Sequence, residues 1–131
     1  MIIEENSDFK EICQHIKKGQ PDNRHYFSNN LLKSALNGYK NSRFDTGFYN
    51  LIEKNKSYAT YQLIKKYWSL EYKSTIVVAI YPLHPDTEQE LIGFLCIDAP
   101  VINAFLEYDR EILSGLADCF FRYRNYIRAC Y

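Results

Sequence analysis

Near the start of the chain, Phe9, Ile12, Cys13 and Ile16 fall at i, i+3, i+4 and i+7, the spacing of one buried helix face. Ser7 or Asp8 stands at the N-cap position, Lys17 and Lys18 lie in the last turn, and Gly19 follows as a stop. Gln20-Pro21-Asp22-Asn23 then reads as a turn, and Arg24–Ser28 as a short strand. Leu31–Leu36 is a short helix ended by Asn37-Gly38, and residues 39–47 read as an exposed loop. From Phe48 to Leu70 the pattern is mixed. Phe48, Leu51 and Ile52 suit one or two helical turns, and Tyr61, Ile64 and Trp68 recur at helical spacing after Glu53-Lys54-Asn55-Lys56.

The period then changes. Ser74–Tyr81 is β-branched almost throughout, Glu90–Ile97 is a second apolar run, and the polar stretch Pro82–Gln89 joins them as an antiparallel hairpin. Asp98-Ala99-Pro100 ends the second strand, because proline has no N–H to give to a ladder. A final helix runs from about Glu107 to Tyr126. Ile112, Leu113, Leu116, Phe120 and Ile127 form its stripe, with Ala117 and Tyr123 alongside. This stripe and that of the first helix suit packing on the back of a sheet or against a second subunit. The order of elements is that of an α+β domain with a mainly antiparallel sheet, helices covering at least one face.

A length of 131 residues without repeat, low-complexity tract or Pro/Ser-rich linker is read as one domain over 1–131, its terminal helices within 1–19 and 107–128. Sixteen basic and sixteen acidic residues cancel, which removes the cationic surplus on which nucleic-acid binding depends. No apolar run is long enough to span a membrane, and Met1–Asn6 has no basic, apolar start of a secretory signal, so no membrane insertion and a cytoplasmic setting are expected. Cys13, Cys96, Cys119 and Cys130 are widely spaced, with no Cys-x-x-Cys pair and no histidine at ligand spacing, so neither a metal site nor a disulfide framework is expected. The five glycines stand singly and form no phosphate loop.

Three groups of residues have chemistry to offer. Asp98, directly after an apolar strand, suits either the floor of a pocket or a turn cap before Pro100. Lys73, Ser74 and Thr75 open the preceding strand and suit either donors to an anionic ligand or ordinary strand-start positions. Of twelve Tyr, eight Phe and one Trp, the middle of the chain holds Tyr39, Phe44, Phe48, Tyr49, Tyr58, Tyr61, Tyr67 and Trp68, which suit a stacking site for a flat ligand or core.

The segments "YKSTIVVAIYPL", "LIGFLCIDAP" and "FLEYDREILSGLAD" resemble the GAF domain family, and "YFSNN" at Tyr26–Asn30 and "YKNS" at Tyr39–Ser42 extend the resemblance over roughly residues 25–127. It implies a GAF-like, six-stranded or similar antiparallel β-sheet with helices packed on one face and a ligand pocket on the other. Cyclic-nucleotide members carry an Asn-Lys…Phe…Asp pattern; Phe105 and Asp109 match it, but Asp98-Ala99 stands where Asn-Lys would fall. Bilin-binding members need an attachment cysteine, and none lies between Cys13 and Cys96. "GFLCIDAP" is also similar to the free-methionine sulfoxide reductases, with Asp98 matching a carboxylate of that branch, but the same gap removes the thiols of their mechanism. The resemblance thus implies a non-catalytic sensory or regulatory domain that binds a small molecule and signals through its terminal helices as a homodimer. It leaves the ligand and any cofactor unknown. Tyr49, Lys73, Thr75 and Asp98 are the expected ligand-binding residues, with the loop at 39–60 closing over them. The alternative is a degenerate GAF-like module used only for protein–protein contact.

Overall fold

The computed structural model describes residues 8–17, 24–54, 59–80 and 92–130. These form α1 (Asp8–Lys17), β1 (His25–Ser28), α2 (Leu31–Leu36), α3 (Thr46–Lys54), α4 (Ala59–Tyr67), β2 (Ser74–Ile80), β3 (Gly93–Ala99) and α5 (Glu107–Cys130). The three strands lie in the order β1-β2-β3, and both pairings are antiparallel. The fold is therefore α+β, with three described strands where the GAF resemblance implies about six.

β2 sits at the centre because it is apolar on both faces. Ser74 to Ala79 are all buried, and a strand of that kind needs cover on each side. On one side Ile76 and Val78 pack with Leu113 and Ala117 of α5, joined by Phe27, Leu95 and Phe105. On the other, Val77 and Ala79 pack with Ile12 of α1, joined by Phe9, Tyr26 and Phe94; the rings of Phe9 and Phe94 lie 4.6 Å apart. Helices therefore cover both faces, not the one face expected. Burying each such Val or Ile contributes about 1.5–3 kcal/mol.

Several boundaries differ from the sequence reading. β3 begins at Gly93 and runs through Asp98 to Ala99, so Asp98 is a strand residue paired with Thr75 and not a residue beyond the strand. Pro100 still ends it. Residues 39–47 are not an exposed loop: Tyr39, Asn41 and Phe44 are buried, and α3 already starts at Thr46, where Asp45 Oδ1 accepts from Phe48 N at 2.7 Å. Phe44 is drawn inward by four rings, those of Tyr39, Phe48, Tyr49 and Trp68, at centroid distances of 4.4–6.2 Å. With Leu31, Leu32, Ile64 and Leu70 they form a second core within α2–α4. The Gly19 stop, Tyr58, the Pro82–Gln89 turn and Ile127's side chain lie outside the described residues.

α5 runs to Cys130, beyond the expected end, and its stripe divides. Leu113 and Ala117 are buried, whereas Ile112, Leu116, Phe120 and Tyr123 are exposed. Its entry is tied down twice. Asp109 Oδ2 accepts from Leu106 N at 2.6 Å, the reciprocal half of a capping box. Asn29 clamps the backbone of Phe105, Nδ2 donating to its carbonyl at 2.7 Å and Oδ1 accepting from its N–H at 3.0 Å. Among the described residues no helix is long and apolar enough to cross a membrane.

β1 is fastened to α5 by Arg24, whose Nη1 lies 2.7 Å from Asp118 Oδ1 and whose Nη2 donates to Ser114 O at 3.3 Å. Beside it, burial above all, and then Arg110 and Arg24, hold the pKa of half-buried His25 below 6.5. The unfolded chain therefore takes up that proton at a higher pH than the folded chain does. The stabilisation is complete above 6.5 and is lost as pH falls through the folded-state value. Urea midpoints measured between about pH 7.5 and 5.5 should fall on acidification for the wild type and fall less for His25→Asn; equal slopes would exclude His25 as the source.

Candidate functional site

A polar cleft of about 530 Å³ opens on the α1 side of the sheet, beside the point where α1's cover stops. Its floor is built by strand alternation. Thr75 and Val77 of β2 and Cys96 and Asp98 of β3 project to the same side, because Thr75 pairs with Asp98 and Val77 with Cys96. Phe9 of α1 closes one end, and the segments Asn41–Arg43 and Glu71-Tyr72 supply the remaining wall. The volume lies within the usual range for small-molecule sites, about 300–1,000 Å³.

The floor carries one short polar contact. Thr75, only 1% exposed, donates from Oγ1 to Asp98 Oδ1 at 2.6 Å. A hydroxyl buried between apolar neighbours needs a partner, and a carboxylate makes the bond charge-assisted. The Asp98 side chain is fixed by this bond yet remains open to solvent, and its Oδ2 has no hydrogen-bond partner among the described residues. Such a group can accept from the N–H, O–H or ammonium of a bound molecule.

The wall is held by a tyrosine cage. The Asn41 side chain is buried, with Nδ2 donating to the hydroxyls of Tyr39 and Tyr72, both at 3.0 Å, and Oδ1 accepting from Arg43 N at 3.0 Å. The Tyr49 hydroxyl donates to Asn41 O at 2.9 Å and accepts from Asn41 N at 3.2 Å. Trp68 Nε1 donates to Tyr72 O at 3.0 Å, tying the other wall segment to the same core. Asn41 is thus spent on structure. Among the described lining residues Arg43 is the cation, and Asp98 and Glu71 are the anions.

Of the four residues expected to bind a ligand, the structure brings Thr75 and Asp98 together in the cleft. Tyr49 stands behind the wall, not in it. Lys73 lies outside the lining, and its backbone bridges Leu31 and Ala99. Ser74 faces the α5 side, its Oγ donating to the carbonyls of Asn29 and Val101 at 2.9 and 2.7 Å. Arg43, Tyr72 and Cys96 belong to the cleft and were missed. Cys96 was within reach, because it shares parity with Asp98 on one strand; Arg43 and Tyr72 are placed by a loop path that no periodicity encodes. Most of the aromatic middle is packed in the α2–α4 core.

A smaller cavity of about 300 Å³, bordered by Phe48, Leu51 and Tyr67, brings together two of the aromatic stacking candidates, Phe48 and Tyr67, but none of Tyr49, Lys73, Thr75 and Asp98. Among the described residues no group of three or more His, Cys, Asp or Glu could hold a metal ion. Compared with known proteins, the chain matches no family model, no curated protein and no solved structure.

Tyr49→Phe removes both hydroxyl bonds to the Asn41 backbone, and should lower stability by about 1–3 kcal/mol while leaving the fold's circular dichroism unchanged. An unchanged urea midpoint would show that the cage does not carry the wall.

Proposed function

We propose that this chain is a non-catalytic, GAF-like sensory or regulatory domain that takes a small polar molecule into the cleft over β2 and β3 and passes its state on through the terminal helices. The observation that carries the reading is the Thr75–Asp98 pair: a carboxylate oriented by a buried hydroxyl, with one oxygen turned to an open cleft. The mixed charge of the lining, Arg43 with Asp98 and Glu71, suits a molecule bearing both a donor or ammonium group and an acceptor or anion. Phe9 connects the site to α1, so a ligand touching that ring has direct purchase on a terminal helix. The ligand acts by differential affinity: it favours whichever arrangement of wall and helix it contacts best.

A second reading, a protein–protein interaction module without a ligand, is favoured by the exposed apolar side chains of α5.

Native mass spectrometry of the protein as purified, set against its denatured mass, separates the two. The sensor reading expects a bound mass that disappears on denaturation. Asp98→Ala should then reduce its occupancy about tenfold or more, the equivalent of roughly 1.5–3 kcal/mol for a hydrogen bond to a charged group. Thr75→Val should reduce it by a smaller factor, because the carboxylate remains but is no longer held. A wild type that carries no retained mass, or an Asp98→Ala variant that retains it unchanged, removes the reading.

A further inference from the structure

The outer face of α5 carries a line of exposed apolar side chains that the cleft does not involve. At 100° per residue, Tyr108, Ile112, Leu116, Cys119 and Tyr123 fall within a strip roughly 80° wide. The strip points away from the buried Leu113 and Ala117. Tyr108, Ile112, Leu116 and Tyr123 are 47–63% exposed, more apolar surface in one line than a solvated helix needs.

The borders of the strip say what covers it. On one side lie Glu111 and, three turns later, Arg122, with Asp118 between them paired to Arg24; on the other lie Asp109 and the exposed Phe120. The first border is thus acidic toward the helix start and, at Arg122, basic toward its end. A two-fold axis perpendicular to the helices brings each border against the same border of the second copy, running in reverse. Glu111 then meets Arg122 of that copy, and Arg122 its Glu111, the two pairs placed symmetrically about the level of Leu116 and Ala117. A two-fold axis parallel to the helices instead sets opposite borders side by side at equal height, so that Glu111 meets Asp109. Charge complementarity therefore selects both the partner and its direction.

We propose that the outer face of α5 pairs antiparallel with the same face of a second copy of this chain, Leu116 lying on the two-fold axis and the acidic half of each helix facing the basic half of the other. The interface is isologous, as a closed two-fold dimer requires. It stands on surface residues remote from Thr75 and Asp98, so it holds or falls independently of the ligand reading.

Sedimentation of the full chain should give a dimer, and Leu116→Asp should give a folded monomer, its melting curve checked alongside. Glu111→Arg should weaken the dimer about tenfold, since two ion pairs are replaced by like charges. Mixing Glu111→Arg with Arg122→Glu should restore wild-type affinity in the heterodimer, and the double variant should restore it in the homodimer. A monomeric wild type overturns the proposal, as does a Leu116→Asp chain that stays dimeric. Tighter association of Glu111→Arg would mean a parallel pair and overturns it equally.

Discussion

Residues 74–79 are buried at odd and even positions alike, and most of the architecture follows from that single requirement. A strand with one polar face can lie on a helix and leave water on its other side. β2 cannot. Its Ile76 and Val78 side is closed by α5, its Val77 and Ala79 side by α1, and its two edges by β1 and β3. The helices near the two ends of the chain are brought to opposite faces of one strand, and so a disturbance of β2 is felt by both. On the α1 face the cleft opens over Thr75 and Val77, beside Phe9 of that helix.

The chemistry of the cleft is a consequence of the same burial. Thr75 has its hydroxyl in an apolar setting and must find an acceptor; the register of the ladder supplies one, directly opposite, in Asp98. The pair satisfies the strand and at the same time aims a carboxylate. On the wall side the logic is reversed. Asn41 uses its donors and acceptor on tyrosine hydroxyls and on Arg43 N, so its contribution to the cleft is shape. Polar residues of similar appearance in sequence thus divide into one group that holds and another that can receive.

That division explains which parts were legible in the sequence. The strands β2 and β3, the short helix α2 with its Asn37-Gly38 end, and the existence of α5 were all readable, because apolar period and capping residues are local signals. The antiparallel hairpin by itself brings Thr75 and Asp98 into the same region. The second cover of β2 could have been inferred, since a run without alternation already implies two buried faces. Residues 39–47 could not be read in this way: Lys40, Ser42 and Arg43 look solvated, and only the ring of Phe44 among its four neighbours shows that the segment turns inward. In α5 the apolar residues read as one stripe, yet at 100° per residue the adjacent Ile112 and Leu113 point to different sides. Tyr49 reads in sequence as an aromatic that could stack; its ring packs on Phe44, and its hydroxyl holds the Asn41 backbone, a role no sequence signal marks.

The α2–α4 region begins and ends at the same place. Ser28 is paired with Thr75, and Leu31 N donates to Lys73 O, so the stems of this segment of roughly 45 residues stand side by side on the sheet. Topologically it is an insertion between two neighbouring strands. Its length is invisible to the ladder: each doubling of such a loop adds only about 0.6 kcal/mol of closure entropy, and no register depends on it. The chain therefore separates what the ladder holds in register from what it does not. The strands and the floor of the cleft are bound by pairing, whereas the wall is carried by a piece that evolution can lengthen, shorten or exchange without moving Asp98.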